Sequence, residues 1–228
     1  MPRPLRHAPG GMVYHVLNRA AARHKMFKRD EDFAAFERVV AEALERTPTR
    51  LLGWCVMPTH WHFVVWPRKD GELTQFFKWL TLTHAMRWRV AHRSVGYGPL
   101  YQGRFKSFPV HGGAENLQLA LRYVERNARS AELVRRAEDW RWGSLRVRLR
   151  GTPEQRAMLS TGPIDLPTDW PRIVNDVLTP REAERFRTSM ARGRPLGPDA
   201  WTRRTAQQLG LDSSLRKPGR PKKLEADQ

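Results

Sequence analysis

Two histidines, His60 and His62, stand one residue apart in the stretch MPTHWHFVVW. The residues around them are mostly β-branched or aromatic, so the stretch reads as a strand. Alternate side chains of a strand leave on the same face. His60 and His62 therefore project side by side, while Trp61 and Phe63 project from the other face. Two neutral imidazoles so placed can bind one divalent cation, with a third ligand and water completing the shell. Cys55 is the one cysteine, which excludes an intramolecular disulfide and a Cys-rich zinc site. An imidazole and amide-oxygen set with open positions suits Mg²⁺ or Mn²⁺ serving a phosphate. His-x-His pairs also occur in ordinary strands, so the pair alone assigns no chemistry.

A second pair adds a nucleophile. Tyrosine occurs only 4 times. Tyr123 lies in LRYVERNARS, four residues before Asn127, and residues at that spacing share a helix face. Leu117, Leu121 and Val124 flank that face as the inward apolar set. Tyr123 is thus expected at the edge of the core with its hydroxyl exposed. A core tyrosine with a single hydrogen bond is the competing assignment. Tyr123 and Asn127 together offer a phenol and an amide oxygen on a helix that can pack beside the histidine strand.

These groups meet only if the fold brings that strand and that helix together. Residues 11–19, GMVYHVLNR, read as a first strand. Residues 30–46 read as a helix, with Asp30 as N-cap and Phe33, Phe36, Val40 and Leu44 at helical spacing. LLGWCVM and HWHFVVW read as two strands joined by a turn at Pro58-Thr59. Residues 73–93 form a long helix stopped by SVGYGP, a strand begins near Phe105, and residues 113–130 form a further helix. The order βαββαβα, with an antiparallel middle hairpin and helical crossovers, is the split βαβ or ferredoxin-like arrangement, an α+β fold. The expected organisation is one domain over residues 1–150 and an extension over 151–228 of short helices and loops with a basic, disordered tail. In the extension, Thr179 is the expected N-cap of a helix with Pro180 at its first position.

The chain of 228 residues carries 41 Lys and Arg against 23 Asp and Glu, a net charge of +18. Charge of that size speaks about partners, and nucleic acid comes first because phosphate neutralisation drives non-specific binding. An anionic membrane surface is the competing partner. No apolar run approaches the roughly 18 residues that span a membrane, and the N-terminal stretch lacks the apolar core of a signal peptide. A cytoplasmic protein is expected. GYGPLYQG lacks the strand–helix setting of a phosphate-binding loop, so no nucleotide cofactor is expected.

The blocks YHVLNR, MPTHWHFVV, YQGRFKS, LRYVERNARSAELV and WRWGSL, in this order between Gly11 and Leu145, resemble the single-tyrosine HUH transposases. Within them they look like the REP-associated tyrosine transposases, with matching features in the GRPLG and GRPKK segments. The resemblance implies a bacterial, nucleoid-associated endonuclease and strand transferase that acts on single-stranded DNA with a divalent metal through a 5′-phosphotyrosine. His60 and His62 match the family's metal pair and Tyr123 its nucleophile. Asn127 falls where the wider superfamily often carries a glutamine as third ligand. Arg19, Arg104 and Lys106 are the expected holders of DNA phosphate. Arg220, Lys222 and Lys223, in KPGRPKK, resemble an AT-hook core that enters a narrow minor groove. REP-type palindromes folded into hairpins, with a flanking tetranucleotide, are the implied substrate, and a monomer is expected. His15 is expected in the core or behind the metal pair. A non-cleaving hairpin-binding protein is the alternative. A hydrolase using water would need a general base, and no Asp or Glu stands next to the histidines in sequence.

Overall fold

The computed structural model describes residues 8–216 of the chain. Strands β1 (Val13–Arg19), β2 (Arg50–Met57), β3 (His60–Trp66) and β4 (Lys106–Val110) form an antiparallel sheet in the order β2-β3-β1-β4. Helix α1 (Asp30–Arg46) links β1 to β2, and α2 (Glu72–Ala91) links β3 to β4. Helices α3 (Ala114–Glu125) and α4 (Asn127–Ser130) follow β4. This is the ferredoxin-like order expected from the sequence.

Period-two alternation divides the strands between two cores. Tyr14, Val16, Trp54, Val56, Trp61, Phe63 and Val65 pack against Phe33 and Phe36 of α1 and Phe76 and Phe77 of α2. Val13, Cys55, Met57, Val64, Phe108 and Val110 face the other way, against Leu117, Leu121 and Val124 of α3. Burial on both faces is why these strands read as nearly continuous apolar runs.

Helix α1 has the expected range but a different cap, and the helix after β4 is divided. Arg29, not Asp30, caps α1, because Asp32 reaches back and its Oδ2 accepts from the backbone N–H of Lys28 (2.9 Å) and of Arg29 (3.1 Å). The helix expected over 113–130 tightens at Arg126 into α3 and α4. Hydrogen bonds from Arg126 N–H to Arg122 and from Ser130 N–H to Arg126 carry the turn through, so Tyr123 and Asn127 stay one turn apart.

The chain beyond Gly143 forms α5 (Ser144–Arg150), α6 (Pro153–Ala157), α7 (Trp170–Asn175), α8 (Pro180–Arg192) and α9 (Asp199–Gln208). Thr179 caps α8 as expected, in a reciprocal capping box with Glu182. Trp170, Val174, Phe186 and Leu196 are buried in the α3-side core. The GRPLG segment lies along β4, where His111 N–H donates to Leu196 O and Leu196 N–H to Pro109 O, each at 2.8 Å. At the opposite edge, Ser160 N–H donates to Leu51 O and Val56 N–H to Trp142 O. Both sheet edges therefore have partners.

Glu125 fastens α3 to its surroundings. Its buried carboxylate accepts from Ser144 Oγ (2.6 Å), Arg148 Nε (2.9 Å) and Trp170 Nε1 (2.7 Å). Ser144 Oγ in turn accepts from the Trp54 backbone N–H of β2 at 2.9 Å. Gly53 makes the close approach possible, since a Cβ there would stand 2.8 Å from Leu121 Cδ2. Glu125→Ala is expected to cost about 3 kcal/mol in urea unfolding, the lower end for a broken buried pair, because Arg148 keeps some solvent. A loss under about 1 kcal/mol would show that the carboxylate is not the fastening.

Candidate active site

Strand register writes the site onto the α3 face as rows of side chains. Met57, His60 and Arg19 form one row; Cys55, His62, Leu17 and Lys106 the next; Gly53, Val64, His15 and Phe108 the third. The His60 and His62 rings lie 5.0 Å apart, centroid to centroid, at 85°. His62 is buried and His60 half-buried. Each ring has its Nδ1 engaged: His60 with Thr59 Oγ1 at 2.9 Å, and His62 with His15 Nε2 at 2.8 Å. Among the described residues, neither Nε2 has a hydrogen-bond partner.

Desolvation keeps the pair neutral. It lowers His60 to about 4, with the Arg19 guanidinium adding to the effect. It holds His62 well below the ordinary histidine value, helped by His15, His60 and Arg19. Two bare Nε2 atoms on neutral rings, each oriented through its own Nδ1, fit a divalent cation. Among the described residues no group of three or more His, Cys, Asp or Glu side chains gathers for a metal, so further donors would be an amide or water.

Tyr123 stands over this pair. Its neighbours Leu121 and Val124 are buried, which leaves Tyr123 at the core margin. Its ring stacks on Phe186 of α8 at 3.8 Å and 19°, and turns an edge to His62 at 6.1 Å. Its hydroxyl makes no hydrogen bond among the described residues. Burial raises the phenol above its ordinary value, and the charge of Arg187 opposes that rise. The other three tyrosines are elsewhere. Tyr14 and Tyr101 are buried in the opposite core, and Tyr97 is 80% exposed on the loop after α2.

The remaining candidates divide. Asn127 opens α4, partly buried, one turn beyond Tyr123, and its side chain has no hydrogen bond among the described residues. Arg19, Arg104 and Lys106 are exposed, and with Leu17, Asn18 and Met190 they line a cleft of about 510 Å³. Arg220, Lys222 and Lys223 lie outside the described residues. Sequence reasoning did not find Phe186, which is fully buried against Tyr123. The signal was there: Ala183, Phe186 and Met190 repeat at helical spacing in an otherwise charged helix.

Residues 10–127 match the family described as "Transposase IS200 like". A structure of a REP-associated tyrosine transposase bound to a REP hairpin is 16% identical, with a TM-score of 0.52 over 73% of this chain and 94% of that one. At that identity the likeness is one of fold. A candidate transposase from Deinococcus radiodurans R1 is 18% identical over 49% of this chain and 87% of its own, with a TM-score of 0.36. No curated protein matches the chain.

The buried imidazoles make stability depend on pH. Burial lowers both His15 and His84 to about 3. The unfolded chain takes up their protons below its ordinary histidine value of about 6.5, while the folded chain does not. Stability is therefore full above about pH 6.5 and is lost as pH falls toward about 3, at roughly 1.4 kcal/mol per pH unit for each group. Urea midpoints measured at about pH 7 and 5 should show the decline, and equal midpoints would mean that these rings are protonated in the fold.

Proposed function

The chain belongs to the IS200-like transposase family, and from that premise we propose that it cuts and rejoins single-stranded hairpin DNA through Tyr123, with a divalent metal at His60 and His62. Membership makes it a DNA endonuclease of transposase type. The observation that carries the finer proposal is that Tyr123 meets His62, one of the neutral His60–His62 pair, ring to ring at 6.1 Å.

In the proposed reaction Tyr123 Oη attacks the scissile phosphorus. The bond from phosphorus to the 3′ oxygen breaks, and that oxygen leaves as a 3′-OH. The 5′ phosphate stays on the tyrosine, which conserves the bond energy for rejoining without ATP. Mg²⁺ or Mn²⁺ bound by His60 and His62, with Asn127 as third protein donor, would polarise the phosphate and offset the charge that builds on its oxygens. Phe186 holds the tyrosine ring in plane. Arg187 favours the phenolate that the attack requires, against the burial that disfavours it.

Arg19, Arg104 and Lys106 are proposed to hold the strand's phosphates along their shared cleft, and Arg220, Lys222 and Lys223 to add contacts. The substrate is proposed to be a REP-type hairpin, as carried by the similar solved structure. A single strand presents a splayed phosphate without a melting cost, which suits attack by a helix-borne phenol. The histidine pair and Tyr123 come from the same chain, which supports a monomer as the working unit. Residues 1–150 would be the catalytic unit and 151–228 an extension whose α8 covers the tyrosine. A cytoplasmic location is proposed, where DNA is at hand; among the described residues no helix is long and apolar enough to cross a membrane.

The test is a denaturing gel of hairpin DNA incubated with protein and Mn²⁺. Wild type should leave a covalent adduct that mass spectrometry maps to Tyr123. Tyr123→Phe should form none, yet bind the hairpin normally. Its stability should fall by less than the about 0.5–1.5 kcal/mol of a made hydrogen bond, since the hydroxyl has no partner to lose. Cutting by Tyr123→Phe would make water the nucleophile. Chelation by EDTA, His60→Ala or His62→Ala should each abolish cutting with hairpin affinity retained, because affinity comes mainly from phosphate contacts. Undiminished cutting by either histidine variant would remove the metal role.

A further inference from the structure

We infer that His15 sets the metal-binding form of His62, an inference that rests on the proposed metal site. His15 lies on β1, 47 residues from His62, fully buried and one row inward from it. Its Nε2 stands 2.8 Å from His62 Nδ1. Such a nitrogen–nitrogen bond holds one proton. A neutral imidazole has one N–H and one bare nitrogen. With the proton on His62 Nδ1, His62 Nε2 is bare and can bind a cation while His15 Nε2 accepts. With the proton on His15 Nε2, His62 carries its own proton on Nε2 and cannot be a ligand. The bond thus ties the tautomer of the ligand to the tautomer of the ring behind it.

His15 is built for that bond. Its ring stacks on Phe108 at 4.7 Å and meets Phe186 edge-on at 5.1 Å, so packing fixes its orientation. Among the described residues its buried Nδ1 has no partner, and Nε2 is the ring atom that hydrogen-bonds. No carboxylate or backbone carbonyl takes the place of His15 at His62 Nδ1 among the described residues. His60 is served differently, by the hydroxyl of the adjacent Thr59. The ligand at the strand end is oriented locally, and the deeper one by a long-range partner. His15 is accordingly a positioning residue for the proposed metal site, not a ligand.

Phenylalanine and glutamine separate packing from positioning. His15→Phe keeps the ring contacts and deletes the acceptor. His15→Gln gives up the ring but places an amide oxygen near the position of Nε2. Full-length proteins without DNA would be titrated with Mn²⁺ by calorimetry, with thermal unfolding followed alongside. The expected result for His15→Phe is Mn²⁺ affinity about 10- to 100-fold weaker, the usual effect of losing a ligand's outer partner, in a protein that melts near wild type. His15→Gln should recover most of that affinity even if it melts lower. Wild-type Mn²⁺ affinity in His15→Phe would overturn the inference alone, and so would an equal loss in both variants. A wild-type protein that takes up no Mn²⁺ would overturn the proposed metal site, and this inference with it.

Discussion

The pairing of β1 with β3 puts Leu17 opposite His62 and Arg19 opposite His60. Side chains alternate along a strand, so a slip of one residue would turn both histidines into the aromatic core under α1 and α2. Trp61 and Phe63, the residues that would be expelled in exchange, are fully buried against Phe36 and Phe77. The register is therefore enforced from the face that does no chemistry. The same register lines up Lys106 beyond Leu17 and His15 beyond Val64, so one set of ladder bonds positions the proposed metal pair, the ring behind it and the first basic residues beside it.

Burial then acts on the site with two signs. It holds His60 and His62 neutral, which is the state in which an imidazole can be a ligand. It also raises the phenol of Tyr123, the state in which a tyrosine is a poor nucleophile. A site buried enough for the first needs something to counter the second. Arg187 supplies positive charge from α8, and the proposed cation would offset charge that builds on the phosphate. The arrangement is asymmetric: histidines inside the sheet face, tyrosine at its margin, cations around the rim.

Local rules carried the sequence reading as far as local rules reach. The His60–His62 face follows from period two, and the sharing of a helix side by Tyr123 and Asn127 from a spacing of four, which survives the tightening at Arg126. Leu117, Leu121 and Val124 did mark the buried side of α3. The range of α1 was read correctly, but its cap was misplaced by one residue because Asp32, not the first acid of the run, satisfies the free N–H groups. Long-range partners were out of reach. Glu125 looks like any helix acid until Ser144, Arg148 and Trp170 arrive from later in the chain. Phe186 meets Tyr123 from 63 residues away, and His15 meets His62 across a strand pair whose register no sequence spacing states.

The tyrosine and its cover belong to one mechanical unit. Arg122 of α3 bonds Glu182 of α8 at 2.8 Å, and Arg185 of α8 bonds Glu115 and Asn116 of α3 at 2.8 and 2.7 Å. These contacts all precede the Tyr123–Phe186 stack along both helices. Glu125, two residues after Tyr123, ties the same helix to β2 through Ser144 and to α7 through Trp170. Movement of Tyr123 relative to the histidines would thus have to break a buried carboxylate network or carry α8 with it. The family match ends at residue 127, yet the ring that stacks on Tyr123 and the charge that opposes its rise in pKa both come from beyond that point. Part of what prepares the tyrosine is therefore supplied by the extension, packed onto the sheet face that carries the histidines.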